Sequence, residues 1–247
     1  MWPRTTRRKP PTDHPPEANG DLSSTVRRVR LVLASTSPRR KLLLARAGLR
    51  FNVVPPPPDM VPPPGICSEL AVQLIARHKA MSVAASQPPG TFVIGADTMV
   101  IGPSGPMGKP LTAEKARWML GELRGRRHTV ITGISAIAAP DAKETLGFSR
   151  SALKMRDFSD AILETYVATG EPLDKAGGYA IQGGGSDLVE AVQGRIDNVI
   201  GLDIALALKL LAEAGYPDPL PTVSDVPLSS LRGERRPPSP TRVKQTV

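Results

Sequence analysis

Along the middle of the chain the apolar positions come in blocks whose period switches between that of a strand and that of a helix. Leu31-Val32-Leu33-Ala34 is a short continuous apolar run that reads as a buried strand over 31–35. From Pro38, the residues Leu42, Leu43, Leu44 and Ala47 supply an apolar helical face until Gly48, predicting a helix over 38–47. The alternation continues with a strand over 50–54, a helix over 68–85, a strand over 91–101, a helix over 112–121 and a strand over 127–138. A strand near 145–156, a helix over 159–168, a glycine-rich segment over 177–185, a strand near 187–192 and a helix over 201–214 complete it. Thr112 with Glu114 in its first turn, and Ser159 before an acidic, apolar stretch that stops at Gly170, read as capped helix starts. Such a pattern predicts a mixed α/β fold without solenoid repeats.

Proline marks where this pattern ends. Of 27 prolines in 247 residues, five fall in residues 1–30, seven in 55–64 and seven in 217–247. Residues 1–29 and 217–247 are therefore expected to be disordered extensions, because such segments bury too little apolar area to offset their ordering entropy. Residues 30–216 are expected to form one folded domain, and the run Pro55–Pro64 an extended loop inside it.

Charge changes the picture only by its position. The formal net charge of +9 would point to nucleic acid if it sat on the folded part. Residues 1–30 hold seven Lys/Arg against three Asp/Glu, and residues 217–247 five against three, so most of the excess lies at the ends. Nucleic acid is not an expected partner of the folded part, while attraction of the basic ends to RNA or acidic surfaces stays open beside a solvated tail. Cys67 is the only cysteine, which suits a reducing compartment and a passive thiol. Arg7, Arg8 and Lys9 are followed by prolines and acids with no apolar core, a poor secretory signal, although an organellar transit peptide stays open. No apolar run approaches the roughly 18–20 residues that cross a bilayer. A cytoplasmic setting without a membrane span is expected.

Four stretches carry candidate chemistry. In Ser35-Thr36-Ser37-Pro38-Arg39-Arg40 a strand runs through a hydroxyl-rich turn into a basic helix start, with Ser37 as a suitable N-cap and Pro38 at the first helical position. Free N–H groups at such a start attract an anion. An ordinary capped helix with solvated arginines is the other reading. In Phe92-Val93-Ile94-Gly95-Ala96-Asp97-Thr98-Met99-Val100-Ile101 one carboxylate interrupts a buried-strand pattern. Asp97 there must meet a metal ion, a lysine or hydrogen-bond donors, as a general base or metal ligand, unless it merely ties down a neighbouring turn. Gly95 permits close backbone approach beside it. Gly108-Lys109-Pro110 presents a lysine on a turn but is not a Walker A loop. Lys79, taken alone, reads as a solvated helix lysine. In the segment from Gly170 to Gly183, Lys175 can meet a phosphate and Gln182 offers both donor and acceptor for a base edge, against a plain glycine-rich hairpin. His14, His78 and His128 are too scattered to argue a zinc site, and there is no Gly-x-Ser-x-Gly elbow or dinucleotide fingerprint.

Taken in order, these blocks, with Thr132-Gly133 and Glu171-Pro172-Leu173-Asp174-Lys175-Ala176-Gly177 through Ile181-Gln182-Gly183, resemble the Maf family of nucleoside triphosphate pyrophosphatases over nearly all of residues 30–214. The resemblance implies a two-lobed α/β fold, a mixed sheet flanked by helices with a central nucleotide-binding cleft, a divalent cation, Mg²⁺ or Mn²⁺, and hydrolysis of a nucleoside triphosphate to the monophosphate and pyrophosphate. It implies Asp97 as proton acceptor and metal ligand, and Ser35, Ser37, Arg39, Arg40, Lys79, Lys109 and Lys175 as triphosphate ligands. Arg39, Thr98 and Gln182 fall at positions linked to substrate choice and resemble the dTTP/UTP branch, with modified pyrimidine nucleotides as further substrates. A homodimer is also implied. The other functional class is a non-catalytic nucleotide-binding regulator of cell division or septum formation.

One position departs from the family's pattern. Counting from Phe51 without a gap, the usual glutamate after the second strand is Met60, next to Asp59. Methionine neither binds a hard cation well nor takes a proton. Either Asp59 takes the role, or the enzyme is slow and Met60→Glu raises turnover.

Overall fold

A computed structural model describes residues 30–139 and 143–222. The predicted extension 1–29, and that over 217–247 apart from its first six residues, lie outside the described residues. Seven strands and six helices alternate in the order β1 (Arg30–Ala34), α1 (Pro38–Arg46), β2 (Asn52–Val53), α2 (Ser68–Ala84), β3 (Thr91–Gly102), β4 (Gly105–Met107), α3 (Ala113–Leu123), β5 (Arg127–Ala139), β6 (Lys143–Met155), α4 (Asp160–Ala168), β7 (Val189–Gln193), α5 (Ile196–Ile200) and α6 (Ile204–Ala214). Three short 3-10 turns, Glu171–Asp174, Ala176–Gly178 and Gly183–Leu188, lie between α4 and β7. The α/β class is as the sequence pattern predicts, and the mixed sheet with flanking helices is as the resemblance implies.

The strands form one sheet in the order β2-β1-β3-β5-β6-β7, with β4 pairing to β3. β1 runs parallel to β2 and β3, whereas every other pairing is antiparallel. On one side β3 pairs with β5 from Thr91 to Ile101. On its other side β1 stops at Ala34, opposite Gly95, and β4 begins to pair only at Val100. Ala96–Met99 therefore have no strand neighbour on that side among the described residues, which leaves a notch at the carboxyl end of the parallel pair.

Alternation along the strands assigns their side chains to two faces. Val32, Ala34, Val93, Ile137 and Ala139 pack with Ala80, Val83 and Ala84 of α2. Leu31, Leu33, Ile94, Ala96, Ile134 and Ala136 pack with the larger core built by α1 and α3–α6. The stripe Val72, Ile75, Ala76, Lys79, Ala80 and Val83 buries α2 at helical spacing. Two glycines let its backbone come close. A Cβ on Gly95 would stand 2.3 Å from the Ala76 carbonyl oxygen, and one on Gly133 2.4 Å from the Val72 carbonyl carbon. Asp97, two residues on from Gly95, shares its face and so points toward α2.

Several predicted elements change in detail. The strand over 50–54 contracts to Asn52–Val53, and the strand near 187–192 shifts to Val189–Gln193. The helix predicted over 201–214 begins at Ile204, because Gly201 adopts φ 130° and the Asp203 carboxylate caps Leu206 N at 3.0 Å. Asp197 reinforces that corner by accepting from Ile204 N at 3.1 Å and binding Arg195. Thr112 and Ser159 cap α3 and α4 through Lys115 N and Ile162 N, as predicted. Leu220 rests partly buried against the core.

Candidate active site

The notch opens into a cleft of about 930 Å³, and all ten residues singled out in the sequence line it: Ser35, Ser37, Arg39, Arg40, Lys79, Asp97, Thr98, Lys109, Lys175 and Gln182. They come from separate elements. β1 ends at Ala34 and its chain turns into α1, so Ser35 to Arg40 lie at the cleft wall with the first turn of a helix. Pro38 occupies that first turn, where a missing N–H is harmless. Ser37 stands at the N-cap position, but its hydroxyl makes no capping bond, which corrects the simple cap reading. Its own N–H instead donates to Ser35 Oγ at 3.2 Å. The early amides of α1 have no intrahelical acceptor and are available to an anion.

The acid in the strand meets a lysine. Lys79 Nζ lies 2.7 Å from Asp97 Oδ1 and 2.8 Å from Asp59 Oδ1. The lysine side chain is 7% exposed and that of Asp97 15%, so each charge is largely withdrawn from water and stands only because the other compensates it. Taken alone, Lys79 read as a solvated helix lysine, and this is corrected by its burial. The signal was present in the helical period, because position 79 falls inside the apolar stripe of α2. Asp59 was not among the ten. It reaches the cleft because the proline-rich loop extends Pro56, Pro57 and Pro58 along the cleft wall. Met60, its neighbour, is half-buried and does not line the cleft.

Arg40 and Thr98 form the frame on the other face. The Arg40 guanidinium donates to Gly201 O at 2.8 Å, Thr98 Oγ1 at 3.1 Å and Ser35 Oγ at 3.3 Å. Burial lowers the pKa of Arg40 and the Asp97 charge offsets part of that shift. Thr132 Oγ1 donates to Asn198 O at 2.9 Å, so the 3.0 Å contact between Thr98 and Thr132 takes its hydrogen from Thr98. Thr98 and Arg40 thus tie β3 to α1 and α5. Arg39 and Lys109, by contrast, line the cleft without a hydrogen bond or ion pair among the described residues, and Lys175 pairs with the exposed Asp174. The Lys175 hydrogen bond holds the Asp174 carboxyl below its usual range. Leu111, with φ 63° and 73% exposed at the cleft, follows Lys109-Pro110 and is pinned by its N–H to Leu173 O.

Behind the cleft wall, His128 Nε2 and the Tyr179 hydroxyl are 2.6 Å apart, and burial pushes the imidazole down to about 4. Among the described residues no group of three His, Cys, Asp and Glu side chains could hold a metal ion. The donor set is instead Asp59 and Asp97, two carboxylates converging on one point of positive charge. That fits a hard cation shared with phosphate oxygens, which needs only one or two protein carboxylates, and does not fit a closed protein cage.

A mixed α/β sheet opened beside a helix start, with five cations and three carboxylates around one cleft, defines a protein built to hold a phosphorylated small molecule. The model of the family described as Maf-like protein matches residues 30–214, and the chain belongs to that family. It is 43% identical over 186 residues to a protein of Moorella thermoacetica named dTTP/UTP pyrophosphatase, covering 75% of this chain and 95% of the relative. A Myxococcus xanthus protein of the same name is 45% identical over 189 residues, covering 76% and 94%. Among solved structures, a nucleoside-triphosphatase / dITP/XTP pyrophosphatase from Mycobacterium abscessus aligns over 52% of this chain and 75% of its own, at 14% identity and a TM-score of 0.35. No helix among the described residues is long and apolar enough to cross a membrane.

Proposed function

We propose that the chain is a nucleoside triphosphate pyrophosphatase that hydrolyses dTTP and UTP, and modified pyrimidine nucleotides, to the monophosphate and pyrophosphate. The observation that carries this is Asp97 at the notch, 2.7 Å from the Lys79 ammonium and facing a cleft in which two cations, Arg39 and Lys109, make no hydrogen bond or ion pair among the described residues. Asp97 takes the proton of the water that attacks the α-phosphorus, a role worth about 10²–10⁴-fold in rate. Arg39, Lys79, Lys109 and Lys175, with Ser37 and the first amides of α1, bind the triphosphate and offset the charge it gains in the transition state. Ser35 and Arg40 shape that wall, and Arg39, Thr98 and Gln182 select the base. Asp97 and Asp59 would hold the Mg²⁺ or Mn²⁺, which when bound supplies further neutralisation of phosphoryl charge.

The names of relatives more than 40% identical support this reading. Asp59 also supports it. The case for a non-catalytic division regulator rested on Met60 in place of an acid, and an acid one position earlier lines the cleft. A homodimer and a cytoplasmic setting belong to the same proposal. The test is pyrophosphate release from dTTP, UTP, CTP, dATP, GTP and 7-methyl-GTP with Mg²⁺ or Mn²⁺, for wild type and Asp97→Asn. The expected result is turnover of dTTP and UTP that falls by about 10²-fold or more in the variant. No release by folded wild type would return the regulator reading.

A further inference from the structure

Gln182 is half-buried, lines the cleft and makes no side-chain hydrogen bond among the described residues. Its amide is therefore free to meet a ligand, and its direction depends on the backbone that carries it. That backbone is held two residues to either side. Ala180 N donates to the Tyr166 hydroxyl at 3.1 Å, and Gly184 N donates to Glu171 Oε2 at 3.2 Å. The two acceptors are themselves joined, the Tyr166 hydroxyl donating to Glu171 Oε1 at 3.2 Å. The chain of bonds thus closes a ring around the loop, with the Glu171 carboxyl group accepting at its centre from both the Tyr166 hydroxyl and Gly184 N.

Steric limits make the arrangement narrow. A Cβ on Gly185 would stand 2.2 Å from Ala180 O and 2.7 Å from the Tyr166 hydroxyl, while one on Gly183 would stand 3.1 Å from the Glu171 carboxylate. Tyr166 is 5% exposed in α4, so its ring is anchored in the core, whereas Gly183 and Gly184 are exposed. Neither Tyr166 nor Glu171 lines the cleft.

We propose that Tyr166 and Glu171 are positioning residues for nucleobase selection, holding the 180–184 loop so that the Gln182 amide meets the base edge in one orientation. The proposal rests on the pyrophosphatase reading of the cleft. Uracil and thymine present an N–H donor beside a carbonyl acceptor, and cytosine presents the reverse polarity. A carboxamide fixed in direction separates the two, because the wrong base leaves buried polar groups unpaired. A carboxamide on a loosened loop does not.

The experiment measures kcat/KM for UTP and CTP in wild type, Tyr166→Phe, Glu171→Gln, Gln182→Ala, and Tyr166→Phe combined with Gln182→Ala. The UTP preference is expected to fall about tenfold in each clamp variant, with the loss lying more in KM than in kcat. In the Gln182→Ala background the second change is expected to leave the ratio where it is, an epistasis that a purely structural role would not produce. A ratio unchanged within twofold in folded clamp variants overturns the proposal, as does a wild type that treats UTP and CTP alike. Failure of both conservative variants to fold also overturns it, assigning the pair to stability. Should wild type release no pyrophosphate, calorimetric affinities for UTP and CTP take the place of rates. A preference lost in the variants then supports the clamp while the hydrolysis reading fails, and absence of any binding overturns both.

Discussion

At the scale of single residues, the chemistry turns on which side chains are already committed. Arg40 and Thr98 spend their hydrogen bonds on Gly201, Ser35 and Thr132, whereas Arg39 and Lys109 have no such partners among the described residues. A single position separates the acid, Asp59, from its place in the family's pattern, Met60. Asp59 reaches Lys79 at 2.8 Å and lines the cleft, while Met60 does not. Asp59→Asn is accordingly expected to reduce kcat by about tenfold or more, because it removes one of the two carboxylates that would hold the cation. Met60→Glu, which the ungapped count expected to raise turnover, is now expected to leave it within about twofold, since a side chain outside the cleft adds nothing to the reacting charges. Steady-state rates with dTTP for the two variants side by side decide between these positions.

Among elements, α2 has the greatest influence on the site, because the helix that covers one face of the sheet also delivers Lys79. Its closeness depends on Gly95 and Gly133. Gly95→Ala would set a methyl 2.3 Å from the Ala76 carbonyl oxygen, which only a shift of the whole helix can relieve. The expected loss is about 1–3 kcal/mol of stability, as for overpacking elsewhere, together with a fall in kcat as Lys79 draws away from Asp97. Denaturant midpoints and rates for the same variant test both. This packing was partly legible in the sequence, where Gly95 read as a close approach and Asp97 as an acid in need of a partner. The lysine that meets it shows in the sequence only through its place in the apolar stripe of α2, a signal that the residue taken alone does not carry. β4 escaped notice for another reason, since three residues with Pro106 in the middle carry no period. α5 spans only five residues, and the break before α6 depends on Asp197 and Arg195, contacts that local pattern does not reveal. The capped starts of α3 and α4 were legible because their chemistry is local.

Over the whole molecule, burial links stability to pH through His128. The imidazole is 5% exposed, and its pKa is lowered from 6.5 to about 4 by burial. The unfolded chain binds this proton more readily, so the group's contribution is complete above pH 6.5 and is lost as pH falls toward 4, about 3 kcal/mol in all by linkage. Urea midpoints are expected to drop between pH 7 and pH 4.5, with a flatter dependence in His128→Gln. The opening in the sheet has a consequence of a different kind, for self-association. An unpaired length of strand is ordinarily a template on which another chain can add itself. Here that length is Ala96–Met99, closed off at both ends by β1 and β4. An incoming strand of ordinary length, about five to six residues, cannot lie alongside it, so the main chain at the notch is open to a small molecule and closed to a polymer.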